Sequence, residues 1–202
     1  AKEFGFTHIE ANASVSPKML SELRKTRVSI SSIHSPCPAT LSSRGTPISG
    51  LSLSSVNESD RMEAVSFTKQ TIDLALSVKA RAIVLHMGEV PIDLTLEDRL
   101  HELHEGGYAQ TKEYRQVKEE LVHQREFQAL HYFDMAKKSL QDISKYSQQK
   151  GIILGLETRF HFHEIPDMDE MAELLNSAPS NLVGYWHDVG HAEVQQQLGF
   201  NH

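Results

Sequence analysis

The sequence predicts an α/β fold built on a parallel sheet of about five strands. Strand-like and helix-like segments alternate along the 202 residues, which is the order expected when helices connect parallel strands. The strand-like segments are continuous apolar runs rather than alternating ones, as expected for strands that are covered on both faces. Polar residues directly follow several of these runs, and a parallel sheet brings such residues to one edge.

The first half of the sequence predicts three strands and two helices. The strands are predicted over residues 6–11, 28–33 and 82–85. Ser16 and Pro17 open the first helix, because serine caps helix N-termini and proline suits the first turn. The second helix is predicted over about residues 59–78, after a segment rich in serine, threonine and glycine that we expect to be a surface loop.

The second half contains one long predicted helix. Residues 90–112 before it are expected to be irregular or partly helical. The helix itself is predicted over about residues 112–149, where apolar residues recur at helical spacing. Its predicted apolar contributions are Leu121, Phe127, Leu130, Phe133, Leu140 and Ile143.

Two further strands and a short helix complete the predicted order. One strand ends at Glu157 and the other begins at Val183. Between them, Asp167 and Glu170 have the spacing of a capping box, which marks the start of a helix. The chain therefore continues to alternate strands and helices to its end.

Composition places the chain among ordinary globular proteins and disfavours two classes of partner. The hydrophobic fraction is 39% and the charged fraction 23%, and no apolar run approaches the roughly 20 residues that a membrane helix needs. The formal net charge of -7 disfavours a nucleic acid partner, because phosphate contacts need a basic excess. Cys37 is the only cysteine, which fits a reducing compartment, and we expect a cytoplasmic protein.

Residues that can bind a metal ion stand at the C-terminal ends of the predicted strands. They are Glu10, His34, His86, Glu157, Asp188 and His191. Neighbouring parallel strands lie about 4.8 Å apart, so side chains from several strand ends can converge on one ion. Imidazole with carboxylate suits Zn²⁺, Mn²⁺, Fe²⁺ or Co²⁺ better than Ca²⁺. A carboxylate buried without a partner is costly, and the apolar run before Glu157 therefore favours a ligand or catalytic role for it.

Each polar residue also has a simpler structural interpretation. A single histidine at a strand end is more often a hydrogen-bonded structural residue than a ligand. The polar residues after Glu157 can form a solvated loop, in which only Arg159 is expected near a substrate. Cys37 is expected to be a buried structural thiol rather than a nucleophile. Four histidines in charged helical segments are expected at the surface: His101, His104, His123 and His131.

Four segments of the sequence resemble the xylose isomerase-like TIM-barrel superfamily, which includes sugar isomerases and epimerases and the endonuclease IV group. They are Ser-Ile-His-Ser-Pro at 32–36, Val-Leu-His-Met-Gly at 84–88, Leu-Gly-Leu-Glu at 154–157 and Trp-His-Asp-Val-Gly-His at 186–191. The resemblance covers nearly the whole chain, from the second strand of a barrel to the sixth. It implies that residues 1–202 are one TIM (β/α)8 barrel domain, cut at both ends and incomplete.

The resemblance to the sugar epimerases implies a divalent-metal-dependent isomerase or epimerase acting on a small carbohydrate. Glu157 and Asp188 are then expected to bind the ion, which is Mn, Co, Mg or Zn. Glu157 also acts as an acid or base on the carbon beside a carbonyl, and His191 contacts substrate. Arg159 is expected to help fix the sugar oxygens. Association into a homo-oligomer through the exposed sheet edges is a further expectation.

Two other interpretations remain open at this stage. The endonuclease IV group implies a zinc-dependent phosphodiesterase, in which His34, His86 and Glu157 hold one zinc and Asp188 and His191 serve others. The acidic net charge disfavours this function. The third interpretation is a non-catalytic barrel fragment that binds a ligand or a metal without turnover.

Overall fold

The centre of the molecule is a parallel sheet of five strands. The computed structural model describes residues 2–26 and 28–200, so the domain predicted over residues 1–202 includes four positions outside the described residues. In chain order the strands are β1 (His8–Ala11), β2 (Ser29–His34), β3 (Ala82–Leu85), β4 (Gly88–Glu89), β5 (Ile153–Glu157), β6 (Glu164–Ile165) and β7 (Val183–Trp186). The sheet order is β1-β2-β3-β5-β7, and β4 pairs with β6 separately as an antiparallel ribbon.

Six α-helices are described. They are α1 (Pro17–Arg24), α2 (Glu58–Val78), α3 (Leu94–Glu105), α4 (Lys112–Lys150), α5 (Met168–Ser177) and α6 (Val189–Gln197). Two short 3₁₀ helices, Lys2–Phe4 and Ile48–Gly50, complete the described helical elements. None of the helices in the described part of the chain is both long enough and apolar enough to cross a membrane. The alternation of strands with helices and the parallel sheet confirm the predicted α/β class.

The register of the sheet aligns the C-terminal ends of the central strands. On one side of β5, Leu156 pairs with Leu85 of β3, and on the other side Glu157 pairs with Trp186 of β7. Gly155 of β5 leaves room for the side chain of Trp186, because a Cβ atom at Gly155 would lie 2.8 Å from Cε3 of Trp186. Residues that directly follow β3 and β7 therefore lie beside the end of β5.

The apolar core fills both faces of this sheet. Ile33, Ile83, Leu85, Leu154 and Leu156 are 0% exposed, as expected for strands that are covered on both faces. Burial of each such side chain contributes about 1.5–3 kcal/mol of transfer free energy. The sheet ends at β1 and β7 in the described residues, whereas a closed barrel has no end strands. The predicted incomplete barrel is consistent with this arrangement.

The segment expected to be irregular or partly helical, residues 90–112, contains a regular helix over residues 94–105. The Asp93 side chain accepts the backbone N–H of Thr95 at 3.0 Å at its start, and Leu100 is fully buried. On α4, Phe127 and Leu130 were expected to face the core but are 83% and 67% exposed. Arg125 takes the inward position at this level of the helix.

Arg125 is only 3% exposed and forms ion pairs with Asp167 and Glu170 at 3.0 and 2.7 Å. These two carboxylates are also the capping box of α5, as predicted: the Asp167 side chain accepts the N–H of Glu170, and the Glu170 side chain accepts the N–H of Asp167. A polar anchor between α4 and α5 therefore occupies a position that hydrophobic periodicity assigned to apolar residues.

Candidate metal centre

The carboxylate of Glu157 lies at the centre of a polar cluster at the C-terminal edge of the sheet. Glu157 is the last residue of β5 and is 3% exposed. Its Oε2 atom lies 2.8 Å from Nε2 of His86, 3.4 Å from Nε2 of His34 and 3.0 Å from Nη1 of Arg159. Side chains at the C-terminal ends of β2 and β3 thus meet the buried carboxylate at the end of β5, as the parallel topology predicts.

The two imidazoles of this cluster contact each other directly. Nε2 of His34 lies 2.6 Å from Nε2 of His86, and the rings meet edge to face at a centroid distance of 4.6 Å. The other nitrogen of His34, Nδ1, is 3.1 Å from Oε1 of Glu10. Glu10 in turn accepts the hydroxyl of Ser32 at 2.6 Å. Glu10 therefore orients His34 from behind, so that Nε2 points toward Glu157.

The environment of the cluster perturbs its protonation equilibria. Burial by itself raises the pKa of Glu157, but the hydrogen bonds with His34 and His86 outweigh burial and hold that pKa well below its usual range. Burial lowers the pKa of His34, yet its hydrogen bonds to Glu10 and Glu157 raise that pKa to about 9. The pKa of His86 is lowered, chiefly by burial. The neighbouring charges therefore keep the Glu157 carboxylate ionised.

Asp188 and His191 approach the same carboxylate from the end of β7. Asp188 caps α6, and its Oδ1 accepts the backbone N–H of His191 at 2.9 Å. Nδ1 of His191 is 2.8 Å from the carbonyl oxygen of Thr158 and donates a hydrogen bond to it. This bond leaves the lone pair of the imidazole on Nε2, which lies 4.0 Å from Oδ2 of Asp188.

The donor atoms fit a divalent ion in two overlapping sets that share Glu157. His34, His86 and Glu157 form one set, and Glu157, Asp188 and His191 form the other; within each set one ligand atom per residue lies within 4.8 Å of the others. Atoms that are each about 2.1 Å from a tetrahedral ion lie about 3.4 Å apart. The distance between His34 and Glu157 in the first set has this value, whereas His86 lies closer to both, at 2.6 and 2.8 Å, and would have to move outward to bind the same ion. Imidazole nitrogen with carboxylate oxygen suits Zn²⁺, Mn²⁺ and Co²⁺.

Comparison with protein families identifies the fold to which this arrangement belongs. The sequence model of the family described as xylose isomerase-like TIM barrel matches residues 1–198. The chain belongs to this family. The resemblance carried by the four strand-end segments is thereby confirmed at the level of the family. Comparison with curated protein sequences gives no match.

Solved structures with a similar fold include several described as epimerases. A D-tagatose 3-epimerase-like protein has a TM-score of 0.62 and 20% sequence identity over 98% of this chain and 64% of that one. D-psicose 3-epimerase from Clostridium cellulolyticum H10 has a TM-score of 0.60 and 15% identity over 98% and 61%. The 3-keto-D-glucoside 4-epimerase from E. coli has a TM-score of 0.59 and 11% identity over 96% and 63%.

These likenesses show a shared TIM-barrel architecture. The chain spans less than two thirds of the length of each of the three structures. Its five parallel strands therefore correspond to part of the barrel that the other members of the family form.

Arg159 lies between the centre and a cavity of about 520 Å³. The side chain is 6% exposed and pairs with two carboxylates: Nη1 lies 3.0 Å from Oε2 of Glu157, and Nη2 contacts Glu164. Its buried Nε has no hydrogen-bond partner within residues 2–26 and 28–200. Thr158, His161 and His187 also line the cavity. The position is consistent with the prediction that Arg159 is near substrate, which itself remains a prediction.

The interpretation of Arg159, His161, His163 and Glu164 as a solvated loop is wrong for every one of them except His161, because Arg159 is also buried. His163 is 8% exposed, and Nδ1 of its ring lies 2.8 Å from Oε2 of Glu97. Glu164 is half-buried, and its Oε2 accepts the N–H of His161 at 2.9 Å. Hydrogen bonds to Glu97 of α3 and within the segment satisfy these polar groups, so they can be buried.

Sequence reasoning missed Thr158 and Glu97 and gave Glu10 no role. Thr158 holds the ring of His191 through its carbonyl oxygen, and its hydroxyl bonds the Tyr185 hydroxyl at 2.7 Å. No side-chain pattern reports a backbone acceptor of this kind. Glu97 lies in a segment expected to be irregular or only partly helical, so no helical periodicity was available to predict its inward orientation. Glu10 was recognised at a strand end, which was the only available signal.

The expectation for Cys37 agrees with the structure. The side chain is 2% exposed, and burial raises the pKa of its thiol to about 11. The backbone N–H of Cys37 donates to the Thr71 hydroxyl at 3.0 Å, and that hydroxyl donates to the Cys37 carbonyl at 3.1 Å. A thiol that stays protonated at neutral pH is a poor nucleophile.

Proposed function

We propose that the protein is a divalent-metal-dependent isomerase or epimerase that acts on a small sugar or sugar derivative. The observation that carries the proposal is the convergence of His34, His86, Asp188 and His191 on the buried carboxylate of Glu157. Membership of the xylose isomerase-like family supports it, and so do structural neighbours described as sugar epimerases. A bound Mn, Co, Mg or Zn ion would polarise the carbonyl of the sugar and so acidify the neighbouring C–H bond.

In this proposal Glu157 and Asp188 are ligands of the ion, and His34 and His86 complete the ligand set. The buried, ionised carboxylate of Glu157 is in the form that binds a cation. Asp188 is fixed by the bond between its Oδ1 and the N–H of His191, and Oδ2 takes no part in that bond. Because Glu10 and Thr158 hold their partner imidazoles from behind, the donor atoms need little rearrangement to bind.

Proton transfer is assigned to Glu157. The contacts of this carboxylate within the described residues all use Oε2, which leaves Oε1 to accept a proton. The C–H bond beside the carbonyl breaks, its proton goes to Glu157 and its electron pair goes to the enolate oxygen. Return of a proton to carbon gives the isomerised or epimerised sugar, so the reaction needs no oxidant or reductant. In this proposal His191, through Nε2, and Arg159 bind sugar oxygens.

Exchange of solvent deuterium into sugars tests this proposal. Purified full-length protein is incubated in D₂O with ketohexoses and ketopentoses, with Mn²⁺ or Co²⁺ and with a chelator, and NMR follows the loss of C–H signal. We expect metal-dependent exchange at the carbon beside the carbonyl in at least one sugar. Absence of exchange in every sugar tested with metal present, or exchange that the chelator does not affect, would contradict the proposal.

A zinc-dependent phosphodiesterase is the second candidate, and the His34, His86 and Glu157 set favours it. Its weakness is charge, since the formal net charge is -7 and phosphodiester backbones bind basic surfaces. Incubation of zinc-loaded protein with duplex DNA that contains an abasic site separates the candidates. Strand cleavage without sugar exchange would replace the first proposal by the second.

Metal binding without either activity would correspond to the third interpretation, a binding protein that does not catalyse turnover.

Association into a homo-oligomer and a reducing, cytoplasmic location remain predictions of the sequence. Size-exclusion chromatography with light scattering tests the first of these, and fluorescence microscopy of a tagged protein tests the second.

A further inference from the structure

A second histidine and carboxylate cluster lies outside the centre around Glu157. It consists of Glu97 and His101 on α3 and His161 in the connection between β5 and β6. One potential ligand atom of each residue lies within 4.8 Å of the other two. The three residues are different from those of the first centre, so the two clusters share no side chain.

Glu97 and His101 present their side chains on one face of α3 because they are four residues apart. Glu97 is 2% exposed, although charged side chains are rarely buried to this extent. Its Oε1 accepts the backbone N–H of Phe162 at 2.9 Å and lies 3.2 Å from Nδ1 of His161. Its Oε2 lies 2.8 Å from Nδ1 of His163.

His101 supplies an independent observation. Its Nε2 atom is buried and has no hydrogen-bond partner in the part of the chain that the structure describes. The ring lies parallel to that of Phe160, with centroids 5.9 Å apart, and Phe160 meets His161 edge to face at 4.7 Å. Phe160 thus packs against both imidazoles. A buried ring nitrogen without a partner among the protein atoms is uncommon, and an imidazole nitrogen in this state can bind a metal ion.

The donor chemistry of the cluster is that of a zinc site. Two imidazoles and one carboxylate form a common set of three protein ligands for Zn²⁺, and the fourth position takes water. Contact between His163 and Glu97 supplies the outer hydrogen bond that orients a ligating carboxylate. The side chain of His161 is 46% exposed and also lines the cavity beside Arg159, so an ion can reach the cluster from solvent.

We propose that Glu97, His101 and His161 form a second site for Zn²⁺, separate from the centre around Glu157. The ion fastens α3 to the connection between β5 and β6, at the wall of the cavity that Arg159 and His161 line. It takes the place of the proton between Glu97 and His161 and satisfies Nε2 of His101. Its role is to fix the cavity wall, not to act on substrate.

Zinc binding by paired variants tests this site separately from the first. All proteins carry Glu157→Gln, which disables the shared ligand of the first centre, and differ at His101 or at His104 on the same helix. Chelator-stripped samples are titrated with Zn²⁺ in equilibrium dialysis and with Co²⁺ by visible absorption. We expect Glu157→Gln alone and with His104→Ala to bind one Zn²⁺ per chain at the second site. His101→Ala should weaken that binding on the order of 100-fold and abolish the tetrahedral Co²⁺ bands.

A second variant guards against a folding defect at His101. His161→Ala removes a half-exposed side chain and should cause the same loss, while circular dichroism with chelator present verifies the fold of every variant. The proposal is overturned if folded His101→Ala and His161→Ala proteins bind zinc as tightly as the His104→Ala control. It is equally overturned if Glu157→Gln protein binds no zinc, since Glu97 and its histidines then form a hydrogen-bonded cluster only. Neither result bears on the sugar exchange assay of the wild-type protein.

Discussion

Two carboxylates in this molecule, Glu157 and Glu97, are almost equally buried and are both surrounded by histidines. Glu157 ends a central strand, and its partners come from the ends of neighbouring strands or from the residues that follow them. Glu97 lies on a helix outside the sheet, and its two closest histidine contacts come from one connecting segment. The parallel topology itself therefore assembles the first cluster, whereas the second depends on how two connections pack against each other.

From this difference we expect the Glu157 cluster to serve the reaction and the Glu97 cluster to stabilise the fold. The backbone of the sheet holds the residues of the Glu157 cluster in place. We therefore expect that substitution of one of them leaves the others where they are. A cluster between two connections also holds those connections in place, so its removal should affect the fold more than the reaction.

The largest expected effect is on turnover. Glu157→Gln removes the ligand and the base in one substitution, and we expect kcat/KM of the full-length protein to fall on the order of 10³-fold. Glu97→Gln keeps a hydrogen-bond acceptor at the second cluster and should change kcat/KM less than about 10-fold, because that cluster takes no part in the chemistry. Steady-state kinetics with the sugar identified by exchange measures both. Comparable losses in the two variants would contradict the division of roles.

The next effect is on stability. Glu97→Ala leaves the N–H of Phe162 and the buried ring of His163 without acceptors, and each such loss costs about 1–3 kcal/mol. We therefore expect the free energy of unfolding in chelator to fall by about 3 kcal/mol. Glu102→Ala, on the same helix, removes only an exposed ion pair with Arg99 and should stay within about 0.5 kcal/mol of wild type. Urea denaturation that gives equal values for the two variants would mean that the Glu97 cluster does not hold the connections together.

A smaller effect is expected on the reactivity of Cys37, which we place outside the reactive groups of the centre around Glu157. Cys37 follows β2 by three residues, but its thiol is buried and its pKa is raised from 9.0 to about 11. Alkylation by iodoacetamide at about pH 8 should be on the order of 100-fold slower than that of a free thiol, because the thiolate is the reacting form. Protein unfolded in urea should react at the unhindered rate. Rapid alkylation of the native protein would place Cys37 among the reactive groups of the site.

The smallest effect comes from an exposed carboxylate that serves as a reference. The ion pairs of Glu58 with Arg61 and Lys138 lower its pKa from 4.5 to about 2. A lowered pKa in the folded state stabilises the protein above about pH 4.5, and this contribution is lost as the pH falls toward 2. The stability difference between wild type and Glu58→Gln should therefore be small and should shrink over that range. If the denaturation midpoints of wild type and Glu58→Gln instead move further apart as the pH falls, the prediction is wrong, because the ion pairs would then raise the pKa of Glu58.

The sequence was sufficient to predict the sheet and the residues of the first cluster. Continuous apolar runs predict the strands, and the polar residues at or after their ends are the candidate ligands. These residues are His34, His86, Glu157 and Asp188. Their convergence then follows from parallel topology, because the C-terminal ends of such strands share one edge. The structure brings these residues together, while their proposed roles await measurement.

The second cluster and the orienting groups were not predictable in this way. Glu97 has no strand before it, and His101 and His161 are far apart in the chain, so only the packed fold shows that they meet. His101 was expected at the surface from its charged surroundings, yet its Nε2 is buried. The carbonyl of Thr158 has no side-chain signature at all. Contacts between connections depend on tertiary packing, about which local patterns carry little information.

The most direct test is the position of bound metal. Anomalous scattering at the zinc edge, measured on crystals grown with Zn²⁺, locates each ion without reference to activity. We expect a peak within about 2.2 Å of a carboxylate oxygen of Glu157, with a nitrogen of His34 or His86 or an oxygen of Asp188 in the same coordination shell. Zinc bound elsewhere, with no peak beside Glu157, would contradict the proposal that this carboxylate organises the metal centre.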